Sequence, residues 1–384
     1  MKIVETLDVY FGLVEDERKT AYITYELSDI LFMLVCGMIC GCTELERLVE
    51  FAELRLEFFK KHTNMERIPC LATLTNVLRM VNPERLELCL NGIIKNVFNK
   101  EIKKKTTKQI CIDGKTICSS VDLDNYSNTI HIVTALLADT SISLGQKVIP
   151  NKTNEIIAVR ELIDMLDIKG AVITLDAMHC QKETVRKIKE NKADYVVQLK
   201  SNQGNFHEDV EAMFDERLVD INQKDGNYDT YQTLEKNGGR IEKRTCYVLE
   251  DVAYFTDYLA EWKGLDKIFA IKRETTEKGN TSVETSYYLS SKSAKAKELM
   301  EYARKHWQIE SFHWVLDVNY GEDDSRVMNK NAQICLNIIR KGALGIIKTY
   351  INNNKVKRKA ISSNMYKCSL SPEYLTEVLE YYCM

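Results

Sequence analysis

The sequence has little proline and no long apolar run. Only four of its 384 residues are proline, and no Pro-, Ser- and Gly-rich linker divides the chain, so the two or three domains expected from its length should be closely joined. The most apolar early segment, Ile30–Cys42, is too short to span a bilayer and is followed by charged residues. We therefore expect a soluble, cytoplasmic protein with no membrane partner.

Cysteine is too sparse for a disulfide scaffold, because twelve cysteines are spread over 384 residues. Cys36, Cys40 and Cys42 lie close together, but they lack the two-residue spacing of a zinc knuckle and have no histidine nearby. The pattern therefore favours buried free thiols.

Excess charge of one sign is also absent from the whole chain, whose formal net charge is −3. Two local basic runs stand out. Lys95–Lys108 holds six lysines and one acid, and Arg340–Lys359 holds seven basic residues and no acid. Each run is either a solvated face or the contact surface for a polyanion.

The first part of the chain is predicted to be all helical. Four apolar or amphipathic patterns indicate helices over Ser28–Cys40, Thr43–Lys61, Leu71–Met80 and Pro83–Asn99. Residues 1–105 thus form a small helical module. No helix-turn-helix pattern identifies a recognition helix within it.

From Gln109 onwards the pattern is that of an α/β domain, over residues 106–384. A short apolar strand carries Asp113, and a continuous apolar run, Ala171–Ala177, carries Asp176 near its end. Three strands are followed by alternating helices and strands, which predicts a mixed sheet with helices on its faces. Several short strands over about 226–291 are interpreted as a β-rich insertion before the next long helix.

That helix, Arg304–Asp317, carries an unusual polar stripe. His306, Glu310, His313 and Asp317 fall within roughly 60° of one another on the helical wheel. The other positions are apolar nearly all round, which predicts a buried helix. Buried carboxylates need a partner, so the stripe is a hydrogen-bonded network or a metal or acid/base site.

Asp113 and Asp176 are each predicted to end a strand, and adjacent strand ends would bring them together with Glu310 facing them. Converging carboxylates with few imidazoles suit Mg²⁺ or Mn²⁺, and a two-ion site would serve phosphodiester chemistry. Each aspartate alone is explained equally well as a cap or turn residue. Zinc held by His306, Glu310 and His313 is the alternative metal site.

Several motifs resemble the ISAs-type, H-repeat-associated family of insertion-sequence transposases, which are DDE transposases with an RNase H-like core. The resemblance covers nearly the whole chain, and its motifs begin at Leu27, Ile112, Asp176, Leu199, Gly239, Tyr287, His306, Phe312 and Gly321. The strongest match is His306-Trp-Gln-Ile-Glu310 followed by Phe312-His-Trp-Val-Leu-Asp-Val.

The resemblance implies that Asp113, Asp176 and Glu310 are the catalytic, metal-binding triad, with Mg²⁺ or Mn²⁺, in two ions, as cofactor. It also implies double-stranded DNA as partner, a homodimer in the active complex, and a transposase-associated domain over residues 1–105. His306 and Asp317 replace the Arg and Lys that related transposases usually carry on this helix. The predicted DNA-binding residues are Lys103, Lys104, Lys105, Lys115, Lys200, His306 and His313.

The function predicted from these features is DNA transposition: metal-dependent cleavage at element ends and strand transfer by the 3′-hydroxyl. A non-catalytic DNA-binding protein derived from such an element is the second hypothesis, and a stand-alone nuclease is the third. The intact Asp113, Asp176 and Glu310 favour the first.

Overall fold

The structure, a computed structural model, describes residues 2–102, 108–117, 130–149, 154–221, 228–249, 252–354, 356–357 and 359–383. The chain forms two compact units. The first unit comprises Met1–Thr106, Gly114–Lys152 and Glu310–Met384, and the second comprises Thr107–Asp113 and Thr153–Ile309. These units do not follow chain order, and the division near residue 105 remains a prediction.

The helical start of the chain belongs to the first unit. Its six α-helices are α1 (Ile3–Phe11), α2 (Leu27–Ile39), α3 (Leu45–Leu54), α4 (Leu56–His62), α5 (Leu71–Met80) and α6 (Pro83–Ile102). The single helix predicted over Thr43–Lys61 is two helices, because the backbone at Arg55 leaves the helical region with φ −115° and ψ 25°. The other three predicted helices are confirmed.

Helix α2 lies in the core of this unit, as its apolar sequence predicts: twelve of its thirteen residues are buried. It packs, together with α5 and α6, on a long helix near the end of the chain, α13 (Lys330–Asn353). Cys36 and Cys40 are buried free thiols and Cys42 is a half-buried one, which confirms the reading of these cysteines as unpaired.

In the part of the chain that the structure describes, nine strands form the sheet elements. They are β1 (Gln109–Ile117), β2 (Ile130–Leu137), β3 (Ile142–Ile149), β4 (Val172–Leu175), β5 (Asp194–Leu199), β6 (Tyr228–Asn237), β7 (Arg240–Leu249), β8 (Lys267–Glu277) and β9 (Asn280–Ser290). Their order is β3-β2-β1 in the first unit and β1-β4-β5-β9-β8-β7-β6 in the second, since β1 contributes residues to both.

Strand directions match an RNase H-like core. Strands β2 and β3 are antiparallel, whereas β1, β4 and β5 run parallel to one another. Parallel neighbours need crossover connections, and helices α7 (Glu155–Met165) and α8 (Lys182–Glu190) lie in the segments that precede and follow β4. The predicted mixed α/β fold is confirmed.

The predicted β-rich insertion consists of two long antiparallel hairpins rather than several short strands. Its bounds, Tyr228 to Ser290, are close to the predicted ones. Strand β9 pairs with β5, through Val196 opposite Ser290 and Leu199 opposite Tyr287. The insertion therefore continues the second unit's sheet, because its last strand supplies the hydrogen bonds that the edge of β5 would otherwise lack.

Helices cover both faces of the sheet in the second unit. On one face, α11 (Ala296–His306) packs its Leu299 and Met300 against Val196 and Phe269. On the other, α9 (Asn205–Ile221) places Phe214 against Tyr287, with ring centroids 5.8 Å apart. Leu199 pairs with Tyr287 and lies three positions after Val196 on β5. Because side chains alternate along a strand, Leu199 and Tyr287 lie on the face opposite to that of Val196.

The remaining helices are α10 (Thr256–Leu259), α12 (Gln308–Tyr320), α14 (Ile361–Leu370) and α15 (Pro372–Glu380). The single helix predicted through Arg304–Asp317 is broken at Trp307, between α11 and α12. Its predicted burial is also wrong, because Trp307 is 55% and Trp314 60% exposed. Among the described residues, no helix combines the length and apolarity that crossing a bilayer requires.

Candidate active site

Asp113 and Asp176 stand at the same level of two neighbouring parallel strands. The β1–β4 register pairs Cys111 with Thr174, and each aspartate follows two residues later in its own strand direction. Because side chains alternate, both aspartates lie on the face of Cys111 and Thr174. The prediction that Asp113 ends its strand is wrong, because β1 continues to Ile117, whereas β4 stops at Leu175, directly before Asp176. The two predicted carboxylates are thus brought together.

The end of α11 is fixed over this same face through Thr174. Gln109 Nε2 donates hydrogen bonds to Thr174 Oγ1 at 3.2 Å and to the Tyr302 carbonyl at 2.8 Å. His306 Nδ1 lies 3.1 Å from Thr174 Oγ1. Burial lowers the pKa of His306 to about 4, although the charge of Asp176 acts in the opposite direction. At neutral pH the ring is uncharged, so any DNA contact of His306 would be a hydrogen bond rather than an ion pair.

Asp176 begins a short 3₁₀ turn that carries His179 beneath it. The His179 backbone N–H donates to Asp176 Oδ1 at 3.3 Å. The turn is held from the segment after β5, where Asn202 Nδ2 donates to the Ala177 carbonyl at 2.8 Å. The side chain of Asp176 remains 43% exposed, so the carboxylate is fixed at its base and open to solvent at its tip.

Glu155 and His179 belong to a candidate metal-ligand group that sequence reasoning missed. Glu155 opens helix α7, and its Oε1 lies 2.9 Å from His179 Nε2. Their side chains are 2% and 0% exposed. One ligand atom each from Asp113, Glu155 and His179 lie within 4.8 Å of one another. The signal available in the sequence was His179 itself, three residues after Asp176 within a matched motif.

Glu310 lies on α12, in the first unit, four residues along the chain from His306. This helix buries Ile309, Phe312 and Leu316 on one side, each 0% exposed. Glu310 falls on the open side and is exposed. Partial burial nevertheless raises the pKa of its carboxyl. The raised pKa means that ionisation of Glu310 is costlier than in water, and a cation bound nearby would stabilise the ionised carboxylate.

Lys115, two residues after Asp113, is held by carboxylates in the first unit. Its Nζ contacts Asp317, lies 2.9 Å from Glu322 Oε2, and lies 3.5 Å from Asp323 Oδ1. Its side chain is only 15% exposed. Asp317, which belongs to the predicted polar stripe, therefore forms an ion pair with Lys115. This ion pair is the structural role of Asp317, the residue that replaces the Lys usual in related transposases.

Glu322 is the centre of this network and is completely buried. Asn337 Nδ2 donates to its Oε1 at 2.7 Å. Burial alone would raise the pKa of Glu322, but the charges of Lys115, Lys341 and Arg340 outweigh it and hold the pKa below its ordinary value. Glu322 thus stays ionised inside the unit.

Part of the second basic run is internal, which corrects its reading as a wholly exposed surface. Arg340 and Lys341 are 2% and 6% exposed, and Lys341 Nζ donates to Thr134 Oγ1 at 2.8 Å. Burial lowers the pKa of Lys341 to about 8. Lys357 and Lys359 are exposed, so only the end of the run offers described cations to a polyanion.

The other predicted DNA-binding residues differ in their exposure to solvent. Lys200 is exposed directly after β5. His313 is half-buried, and burial lowers its pKa to about 3, with help from the charges of Lys341 and Lys115. Lys103, Lys104 and Lys105 lie outside the described residues. The DNA-binding assignment of all of these residues stays a prediction.

Family models and similar proteins that match this chain point to transposases. The family described as "Transposase DDE domain" matches residues 104–346, and the one described as "DDE_Tnp_1-associated" matches residues 9–93. "Putative transposase YncI" of Escherichia coli O157:H7 is 36% identical over 99% of this chain and 95% of its own. "H repeat-associated putative transposase YhhI" of Escherichia coli strain K12 is 32% identical over 96% of each chain.

One solved structure also aligns along most of the chain. It is a piggyBac transposase synaptic complex with hairpin DNA, with a TM-score of 0.47 and 12% identity over 98% of this chain and 78% of the other. Nothing further rests on so distant a likeness.

Proposed function

Because this chain belongs to the Transposase DDE domain family, we propose that it cuts DNA at the ends of an insertion sequence and joins those ends to a target. In cleavage, a water oxygen bonds to phosphorus and the 3′-oxygen leaves. In transfer, that 3′-hydroxyl attacks a target phosphodiester and displaces another 3′-oxygen. The partners are element-end and target DNA, bound by a homodimer, and the location is the cytoplasm.

The observation that carries the proposal is the register of β1 and β4, which puts Asp113 and Asp176 at the same level, with Glu155 and His179 close to Asp113. Carboxylates that lie close together repel one another, and their oxygen atoms are suitable ligands for a divalent cation such as Mg²⁺ or Mn²⁺, which relieves that repulsion. We assign Asp113, Asp176 and Glu310 as the residues that hold two such ions. When bound, the ions lower the pKa of the attacking hydroxyl or water and stabilise the leaving oxygen.

The protein's own contribution is to position these side chains before DNA arrives. Gln109 and Thr174 fix the end of α11 over the face that carries both aspartates. Asn202 holds the turn after Asp176. Such preorganisation lowers the cost of reaching the reactive geometry.

DNA would be held by cations at the margins of the acidic site, because carboxylates repel phosphates. We propose Lys103, Lys104, Lys105, Lys115 and Lys200 for this role, and His306 and His313 as hydrogen-bonding contacts to DNA. The helical residues 1–105 would form the associated domain, and residues 106–384 the catalytic domain.

Cleavage and joining of labelled element-end DNA test the proposal. Asp113→Asn, Asp176→Asn and Glu310→Gln should each lower cleavage by more than about 100-fold while DNA binding persists. Asp164→Asn is the matched control, because Asp164 lies on α7 in an exposed pair with Lys187. Full activity in all three variants would exclude the assignment.

The same assay separates the alternatives. A wild-type protein that binds element ends without cutting them would be a DNA-binding derivative of a transposase. A protein that cuts DNA but never joins it would be a stand-alone nuclease.

A further inference from the structure

The Glu155–His179 pair lies outside the proposed triad but next to one of its members. Both side chains are buried, and His179 Nε2 lies 2.9 Å from Glu155 Oε1 and 3.8 Å from Asp176 Oδ1. With Asp113 in the same group, three carboxylates surround one imidazole. Carboxylates gathered in this way repel one another, and a cation bound between them relieves that repulsion.

The ring nitrogen that faces the carboxylates is Nε2, since this is the atom of His179 that lies beside Glu155 Oε1 and Asp176 Oδ1. An imidazole nitrogen in that position is a common ligand of divalent metal ions.

The spacing of the donor atoms suits direct ligation. Nitrogen and carboxylate ligands lie about 2.1 Å from a small divalent cation. Two ligands at right angles around it are then about 3.0 Å apart, from the same bond length, close to the 2.9 Å that separates Glu155 Oε1 from His179 Nε2. The third ligand atom, from Asp113, lies within 4.8 Å of both, so the three donor atoms form one compact group.

We propose that Asp113, Glu155 and His179 bind one divalent cation through a mixed oxygen and nitrogen ligand set. This inference deepens the proposed function, because Asp113 is shared with the catalytic set. An imidazole ligand favours Mn²⁺ over Mg²⁺, which prefers oxygen and water. Of the ions that the protein uses, one therefore has a nitrogen ligand and selects Mn²⁺.

Electron spin-echo measurements on the full-length protein with Mn²⁺, without DNA, test the site. A directly bound imidazole imposes nitrogen modulation on the Mn²⁺ echo. We expect this modulation in the wild-type protein and its loss in His179→Ala. The matched control is His207→Ala, because His207 Nδ1 lies 3.9 Å from Glu211 in a comparable pair on α9; this variant should keep the modulation.

Glu155→Gln is a second, independent test in case the His179→Ala variant misfolds, because it keeps the shape of the side chain. It should weaken Mn²⁺ binding at least about tenfold, whereas Glu161→Gln on the same helix should not. Absence of nitrogen modulation in the wild type, or its persistence in His179→Ala, would overturn the proposal. So would unchanged affinity in Glu155→Gln.

The outcome is distinguishable from failure of the proposed function. Nitrogen modulation in a protein that never cuts DNA would support the site and refute the transposase activity. Efficient cleavage by a protein whose Mn²⁺ lacks nitrogen modulation would support the activity and refute the site.

Discussion

Two charged clusters originate from one strand, at Asp113 and at Lys115, and they differ in composition. Around Asp113, the carboxylates of Glu155 and Asp176 gather at one imidazole. Around Lys115, the carboxylates of Asp317 and Glu322 meet cations on β1 and α13. A cluster with matched charges supports the fold, whereas an acid-rich one tends to mark a binding or reactive site.

Removing a charge should therefore have opposite effects in the two clusters. Glu322→Ala leaves Lys115 and Arg340 without their buried counter-charge, and it should destabilise the protein by about 3–5 kcal/mol. Urea unfolding measures this loss. Glu261→Ala is the control, since Glu261 forms an exposed pair with Lys182, and its cost should stay below about 1 kcal/mol. Equal costs would mean that Glu322 has no special role.

In the Asp113 cluster, stability should depend on added cation. Mn²⁺ at 100 times its dissociation constant should stabilise the wild-type protein by about 2.7 kcal/mol. Asp113→Asn should lose most of that gain, and without metal it should be at least as stable as the wild type, because one repelling charge is gone. Thermal unfolding with and without Mn²⁺ tests both parts; destabilisation of the metal-free variant would show that the two clusters are alike.

The pH dependence of stability sharpens the comparison further. The pKa of Glu322 is depressed in the folded protein, so its contribution is complete above its unfolded pKa of about 4.3. It is lost as pH falls through the folded value. Near neutral pH, Glu322→Gln should cost about 2 kcal/mol. That difference from wild type should shrink below about pH 4, and a difference constant down to pH 3 would contradict the assignment.

The lysines of the first basic run should affect DNA binding and leave stability unchanged, in contrast to buried Lys341. Replacing Lys103, Lys104 and Lys105 with Gln should weaken DNA binding about tenfold, or 1.4 kcal/mol. The log–log salt slope should become shallower by about two to three units. Binding titrations at several salt concentrations measure both, with Lys187→Gln as control because Lys187 is paired with Asp164. An unchanged slope would leave these lysines as solvated charge.

Sequence patterns were sufficient for the strands and helices that position the aspartates. Apolar runs ending in or near Asp113 and Asp176 predicted β1 and β4, because strands buried on both faces leave an unbroken hydrophobic signal. The long-range partners were not accessible in the same way. Glu155 is 24 residues from His179, and only the fold brings them together.

Burial of charged residues was the other limit. The basic run that begins at Arg340 looked like a surface because charge usually is solvated. Its first two members are internal, and Lys341 is satisfied by Thr134 and Gln146, about 200 residues earlier. The break at Trp307 was also invisible, since no residue there disfavours a helix.

Strand β1 also limits how the gene can change in length. Deleting one codon at Ile112 would turn Asp113 and Lys115 to the opposite face together, because side chains alternate along a strand. The turn between β8 and β9 imposes no such penalty: Lys278 and Gly279 have φ of 49° and 85° in a tight, exposed hairpin. Insertions and deletions inherited by copies of this gene should therefore collect at such turns and be purged from the nine codons of β1.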